Sequence, residues 1–275
     1  NKGIAMTVLM KLYLHEKNWS KVDSLSQAIM DLEEYRLQDD YASIWSIDNE
    51  QNDEIIWAIP RKTNIEGFGQ PFRARTLSSE YDITEEEGWD GDKMRYDLYD
   101  TFHEGDDRKD RIGREVVNAS GDTINLRDPG RDFMGGYNLK YGNDPDARTY
   151  SGVDVVCLRY ADVLLSRAEA LNELNGPNQE SIDLINRVRE RAEISELQLS
   201  QFASKQELRD TILQERGWEF YMEGLRREDL IRHGKYIEYA QERGASAEPH
   251  NVLYPIPQDA IEENENIEQN PGYDF

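Results

Sequence analysis

Glu215 and Glu219, one helical turn apart, are the pair in this sequence that could do acid–base chemistry. In the stretch from Ser204 to Glu223 they project at the same angle as Leu208, Ile212 and Met222, so the apolar face of one helix carries two carboxylates. Such a pair could hydrolyse a glycosidic bond as acid and nucleophile. Alternatively, the two are buried charges that must be matched by cations. Arg216, Arg226, Arg227 and Arg232 are near in sequence, and Arg187, Arg189 and Arg191 could reach across. Carboxylates set among so many guanidiniums stay ionised, which favours a structural network over catalysis.

The second set with chemical character is aromatic. Residues 61–150 are punctuated by glycine and proline and dense in rings. Trp89, Tyr81, Phe68 and Phe72 are interspersed with Arg73, Arg75 and Gln70. Flat rings bind the C–H faces of sugars while polar neighbours hydrogen-bond the hydroxyls. The expected ligand-binding set is therefore Trp89, Tyr81, Phe68, Phe72 and Arg73. Any single ring is more simply read as pinning a long loop to the helices, so the set points to a site only jointly.

Other chemistries find little support. His15, His103, His233 and His250 lack metal-site spacing, and Cys157 is the single cysteine, so neither metal nor cofactor is expected. Cys157, in VDVVCLRY, reads as a core thiol. Glu104, Asp106, Asp107 and Asp110 read as a solvated charge run rather than a calcium loop. Phosphate-binding, dinucleotide and nucleophile-elbow motifs are absent. With 32 basic against 56 acidic residues the formal charge is −24, which excludes nucleic acid and favours a neutral ligand or a cationic partner. No apolar run could span a bilayer, and the first residues lack a signal-peptide pattern.

Helical hairpins must position these residues. RYADVLLSRAEALNELNG and the stripe Ile182, Leu184, Ile185, Val188, Ala192 read as two helices broken at Asn175, Gly176 and Pro177. The first is apolar over most of its circumference, as a helix wedged between neighbours would be, with Asp162, Ser166, Glu169 and Glu173 as a polar strip. Residues 3–16 form a similar helix with Thr7 and Lys11 as its strip, followed by a return helix from Trp19 to Tyr35 with Val22, Leu25, Ala28, Ile29 and Leu32 inward. Trp45, Ile55, Ile56, Trp57 and Ile59 have strand character. SKQE at Ser204 is a capping box, and Asn251 to Pro257 reads as extended. The fold class is mainly α: tetratricopeptide-like hairpins with a long loop-rich insertion and short strands.

RYADVLLSRAEALNELNG with INRVRERA, ERGWEFYMEGLRREDLIRHGK and LYPIPQDAIEENENIEQNPGY, in that order, resemble the SusD/RagB family. The resemblance corresponds to the C-terminal portion of a family member. It implies one SusD/RagB-like region over 1–275, made of a hairpin (1–37), a loop-rich ligand-binding part (38–150), and a second hairpin with C-terminal helices (151–275). The Glu215–Arg232 stretch is then a fold signature without catalysis, Trp45 and Trp57 are expected in the core by the same analogy, and Leu98, Tyr99 and Phe102 are expected as the packed face of a short helix. It further implies a lipoprotein on the extracellular face of the outer membrane. Such a protein captures an oligo- or polysaccharide, or a peptide, for a SusC-like TonB-dependent transporter. The family's lipid anchor and earlier repeats are expected outside this chain, as a fragment or a split protein would have it. The alternatives are a helical glycosidase using Glu215 and Glu219, and a helical-repeat scaffold that binds a protein segment.

Overall fold

The computed structural model describes residues 1–79, 88–118, 120–128, 135–264 and 266–274. It divides into two compact units, Asn1–Glu223 and Gly224–Phe275.

In the first unit, helix α1 (Lys2–His15) packs on α2 (Trp19–Met30), α2 on α5 (Tyr160–Asn175), and α5 on α6 (Gln179–Arg191) and α7 (Lys205–Glu219). As the sequence predicts, α5 is wedged, with every residue from Tyr160 to Asn172 buried. Val163, Leu164 and Leu165 are fully shielded from solvent, and truncating such a leucine costs about 2–5 kcal/mol. Gly176 takes φ +81° and stops the helix, and the side chain of Asn178 caps α6 by accepting from Ser181 N at 3.0 Å. The capping box of α7 forms, with Ser204 Oγ accepting from Glu207 N and Glu207 Oε2 from Ser204 N.

The first hairpin differs from expectation in detail. The strip of α1 turns inward: Thr7 is buried with its hydroxyl donating to Gly3 O, and Lys11 Nζ lies 3.1 Å from Asp162 Oδ2. Val8, Leu9 and Leu12 face outward instead. Helix α2 ends at Met30, five residues before Tyr35, and buries Ser26 beside Val22 and Ile29, while Leu25, Ala28 and Leu32 are only partly covered. The Ser26 hydroxyl is satisfied by the carbonyls of Val22 and Asp23.

The loop-rich stretch contains short helices α3 (Phe72–Thr76) and α4 (Tyr96–Tyr99) and short strands. Strand β1 (Ile55–Ile59) pairs antiparallel with β7 (Val155–Arg159), which leads straight into α5. Strands β2 (Met94–Arg95), β3 (Ile112–Gly113) and β6 (Gly135–Asn138) form a sheet in the order β2-β6-β3, and β4 (Glu115–Val117) pairs with β5 (Thr123–Asn125). One hydrophobic cluster joins this stretch to the helices: Tyr41, Trp45, Tyr99, Phe102, Tyr141, Trp218 and Tyr221 are buried together, with Leu98 packed against them.

Three expectations are corrected here. Trp45 is in the core but lies in a 3-10 turn, Tyr41–Trp45, not a strand. Trp57 is 43% exposed, because strand alternation turns it outward while Ile56 points in. Cys157 is half-buried on β7, with its thiol pushed up by burial.

The second unit holds α8 (Arg226–Arg232), α9 (Tyr236–Glu242) and α10 (Gln258–Glu263). Pro249–Val252 is a 3-10 turn, so the extended run begins only at Leu253. The C-terminal motif folds back on that run: Gln269 bonds both backbone groups of Ile256, Asn270 Nδ2 donates to Tyr254 O, and Tyr273 OH to Leu253 O. No described helix is long and apolar enough to cross a membrane.

Candidate functional site

Helix α7 puts Glu215 and Glu219 inward together, and both are fully buried. Glu215 Oε1 accepts from Arg108 Nη1 at 2.7 Å and Oε2 from Arg189 Nη1 at 2.8 Å. Glu219 accepts from Arg159, from Arg191 and, at 3.2 Å, from the same Arg108 Nη1. Asp106 holds Arg108 with two bonds of 2.8 Å. Glu54 accepts from Arg159 at 2.9 Å and Arg191 at 3.0 Å, and Glu223 from Arg159 and Lys140. Burial works against a charge on Glu219, but Arg191, Arg159 and Arg108 overcome it and hold the carboxyl well below the ordinary range. A glycosidase needs one carboxyl kept protonated beside an open cleft. Here the oxygens of both glutamates are occupied by guanidiniums in the protein interior. The arrangement ties elements together.

Of the arginines expected around this pair, Arg189 and Arg191 take part. Arg216 instead donates to Asp162 at 2.8 Å on α5, Arg232 pairs with Asp229, and Arg187 lies over the ring of Tyr160. Arg226 and Arg227 belong to the second unit, where Arg227 reaches Val252 O and stacks on Tyr254. Sequence reasoning missed Arg108 and did not place Arg159 beside the pair. It also missed Asp106, which is buried against Arg108 rather than part of a solvated charge run. Lys140 was likewise unforeseen: it sits 4.3–5.2 Å from the ring centroids of Tyr41, Trp45 and Tyr221 and donates to the carbonyls of Glu219 and Tyr221. Among the described residues no group of three or more His, Cys, Asp or Glu is placed to hold a metal ion.

The aromatic set is arranged around α3. Gln70 is bonded to Ser151 through both backbone groups, and its Oε1 accepts from Phe72 N at 2.8 Å, fixing where the helix starts. Phe72 is partly buried, packed on the core 5.5 Å from the Tyr141 ring centroid. Phe68 precedes the helix in a turn closed by Phe68 N to Ile65 O and Lys62 N to Phe68 O, and it is 62% exposed. Trp89 is 46% exposed and is bound to α3 through its backbone, with Trp89 N donating to Ala74 O at 2.9 Å. Gly88 permits this approach: a Cβ there would stand 2.1 Å from Ser78 O. Around Trp89, Arg75 pairs with Asp92 at 2.7 Å, and Asp90 accepts from Ser79 and Lys93. Arg73 lies on α3, half-buried, while Tyr81 falls outside the described residues. Thus α3 carries Phe68 and Trp89 as exposed rings on flanking segments, and turns Phe72 towards the core.

Comparison with known proteins decides the family. The SusD family model matches residues 42–273. The chain belongs to the SusD family. It is 27% identical to SusD-like protein P25 of Formosa agariphila, over 99% of this chain and 59% of that protein. Over 46% of the chain it is 36% identical to the starch-binding protein SusD of Bacteroides thetaiotaomicron, covering 22% of that protein. A solved SusD homolog from Bacteroides thetaiotaomicron shares the fold with a TM-score of 0.85 and 23% identity, over 99% of this chain and 64% of the other. Surface glycan-binding protein A from the same species, in complex with laminarihexaose, aligns with a TM-score of 0.78 and 20% identity, over 98% and 63%. The chain therefore spans about three fifths of the length of the curated relatives that it matches over nearly all of its own length. Its fold is the mainly helical, tetratricopeptide-like one of these SusD structures.

Proposed function

We propose that this SusD-family chain binds a glycan without cleaving it and presents it to a SusC-like TonB-dependent transporter at the extracellular face of the outer membrane. The observation that carries the reading is the pair of exposed rings, Phe68 and Trp89, held beside α3 by backbone hydrogen bonds, while Phe72, Tyr96, Tyr99, Phe102 and Tyr141 pack into the core cluster. With its backbone anchored, each ring is offered to a sugar without ordering its segment on binding. Arg73, Arg75, Asp90 and Lys93 supply hydrogen-bonding groups nearby. Relatives named for starch binding and for a laminarihexaose complex support a glycan ligand. Residues 38–150 contribute the ligand surface in this reading, and the hairpins and C-terminal helices serve as its frame. The saturation of Glu215 and Glu219 by arginine supports binding without hydrolysis. An oligosaccharide array probed with wild type, Trp89→Ala and Phe68→Ala tests it. Binding that weakens in both variants is expected; silence of the wild type across the array would overturn a glycan ligand.

A further inference from the structure

The end of α3 is closed by the segment that carries Trp89. Four consecutive carbonyls accept from it: Ala74 O from Trp89 N at 2.9 Å, Arg75 O from Gly91 N at 2.7 Å, Thr76 O from Lys93 Nζ at 2.7 Å, and Leu77 O from Asp90 N at 3.0 Å. A helix end leaves such carbonyls without intrahelical partners, and a cation among their donors suits the negative end of the helix. Residues 89–93 are thus the cap of α3, with Trp89 as its first donor.

Asp90 is the residue on which this cap turns. Its backbone lies at φ +51°, a left-handed conformation that aspartate tolerates and most side chains resist. Its carboxylate fastens the turn on two sides. Oδ2 accepts from Ser79 N at 3.0 Å and from the Ser79 hydroxyl, and Oδ1 accepts from Lys93 Nζ at 3.2 Å. Burial works against the charge, but Ser79 and Lys93 overcome it and hold the carboxyl below the ordinary carboxylate range. Lys93, its side chain largely buried, links the same carboxylate to Thr76 O. The Asp90 carboxylate therefore joins the chain leaving α3, at Ser79, to the cation of the cap that follows Trp89.

We propose that Asp90 is the positioning residue of Trp89: its carboxylate fixes the turn that offers the indole to solvent, and it acts on a ligand through that ring. The effect on binding rests on the glycan reading, whereas the effect on the ring does not.

The test is fluorine NMR of the whole chain labelled with fluorotryptophan, in the absence of sugar, with the Trp89 signal assigned through Trp89→Phe. Trp19, Trp45, Trp57 and Trp218 are the internal references. Asp90→Gly leaves the backbone free to adopt the positive φ and removes only the carboxylate. It should shift the Trp89 signal while the references stay in place, and weaken an oligosaccharide bound by the wild type about tenfold in calorimetry. Asp90→Asn removes the charge but keeps an acceptor for Ser79 and tolerates the same φ, so it should restore the signal and most of the affinity. An unmoved Trp89 signal in Asp90→Gly would overturn the proposal, and weaker binding would then report direct contact of Asp90 with the sugar. Movement of the reference signals as well would overturn it by showing a general loss of structure, as would a shifted ring with undiminished affinity. If the wild type binds no sugar, the glycan reading falls, and the fluorine spectra alone decide whether Asp90 places the ring.

Discussion

Arg108 Nη1 donates to Glu215 Oε1 at 2.7 Å, joining residues 107 positions apart in sequence and fastening the loop-rich stretch to α7. Both side chains are fully buried. Replacing Arg108 by Met leaves Asp106 as a buried carboxylate without its cation and Glu215 with Arg189 alone, so we expect a loss of about 3–5 kcal/mol in urea denaturation. Arg108→Met/Asp106→Asn should recover part of this loss, since the cost arises from the uncompensated Asp106 charge. A shift below 1 kcal/mol for the single variant would show that the network is dispensable.

Acid should release the same framework. Burial works against ionised Asp162, but Lys11 and Arg216 hold its carboxyl well below the ordinary carboxylate range, as the arginines do for Glu219. A folded-state value below the unfolded one gives stability that is present above the unfolded value, near 4–4.5, and is lost as pH falls below it. Urea midpoints should therefore fall steeply from pH 5 to pH 3. Asp162→Asn, destabilised at neutral pH, should show a shallower fall.

Lys140 should act in the alkaline range with the opposite proton logic. Burial pushes its ammonium down to about 8, against the pull of Glu223. Between pH 8 and 10 the unfolded chain then holds this proton more tightly than the folded one, so the Lys140 contribution to stability rises with pH. Burial holds the hydroxyls of Tyr41 and Tyr221 well above their ordinary value, so they oppose unfolding until the unfolded tyrosines titrate above 10. Relative to Lys140→Met, the wild type should gain up to about 2 kcal/mol between pH 8 and pH 10. A constant difference would remove Lys140 as the titrating group.

Gly88 offers a test of the stacking surface that leaves its ring in place. An alanine Cβ would clash with Ser78 O and displace the segment that presents Trp89. Gly88→Ala should weaken glycan binding as Trp89→Ala does, while circular dichroism stays unchanged; undiminished binding would show that the placement of Trp89 is irrelevant.

The hairpins were legible because their periodicity and Gly176 are local signals, and α5 is buried all round as its composition requires. Arg108 and Arg159 were not legible: their carboxylates lie 107 and 60 residues away, and nothing local marks an arginine as buried. Trp57 was misread because IIWAI is apolar in both phases of the strand, so alternation alone does not choose the inward face. The ring-rich composition around α3 was visible in the sequence, yet only the fold separates the exposed Phe68 and Trp89 from Phe72, which packs on the core.

The central claim is that buried acid–arginine pairs hold the architecture while exposed rings do the recognising. Calorimetry with an oligosaccharide bound by the wild type, run on Phe68→Ala/Trp89→Ala alongside thermal melts, tests it most directly. The account predicts that binding disappears with the melting temperature unchanged within about 2 °C. Retained affinity in the double variant would contradict it, as would release of shortened sugar by the wild type.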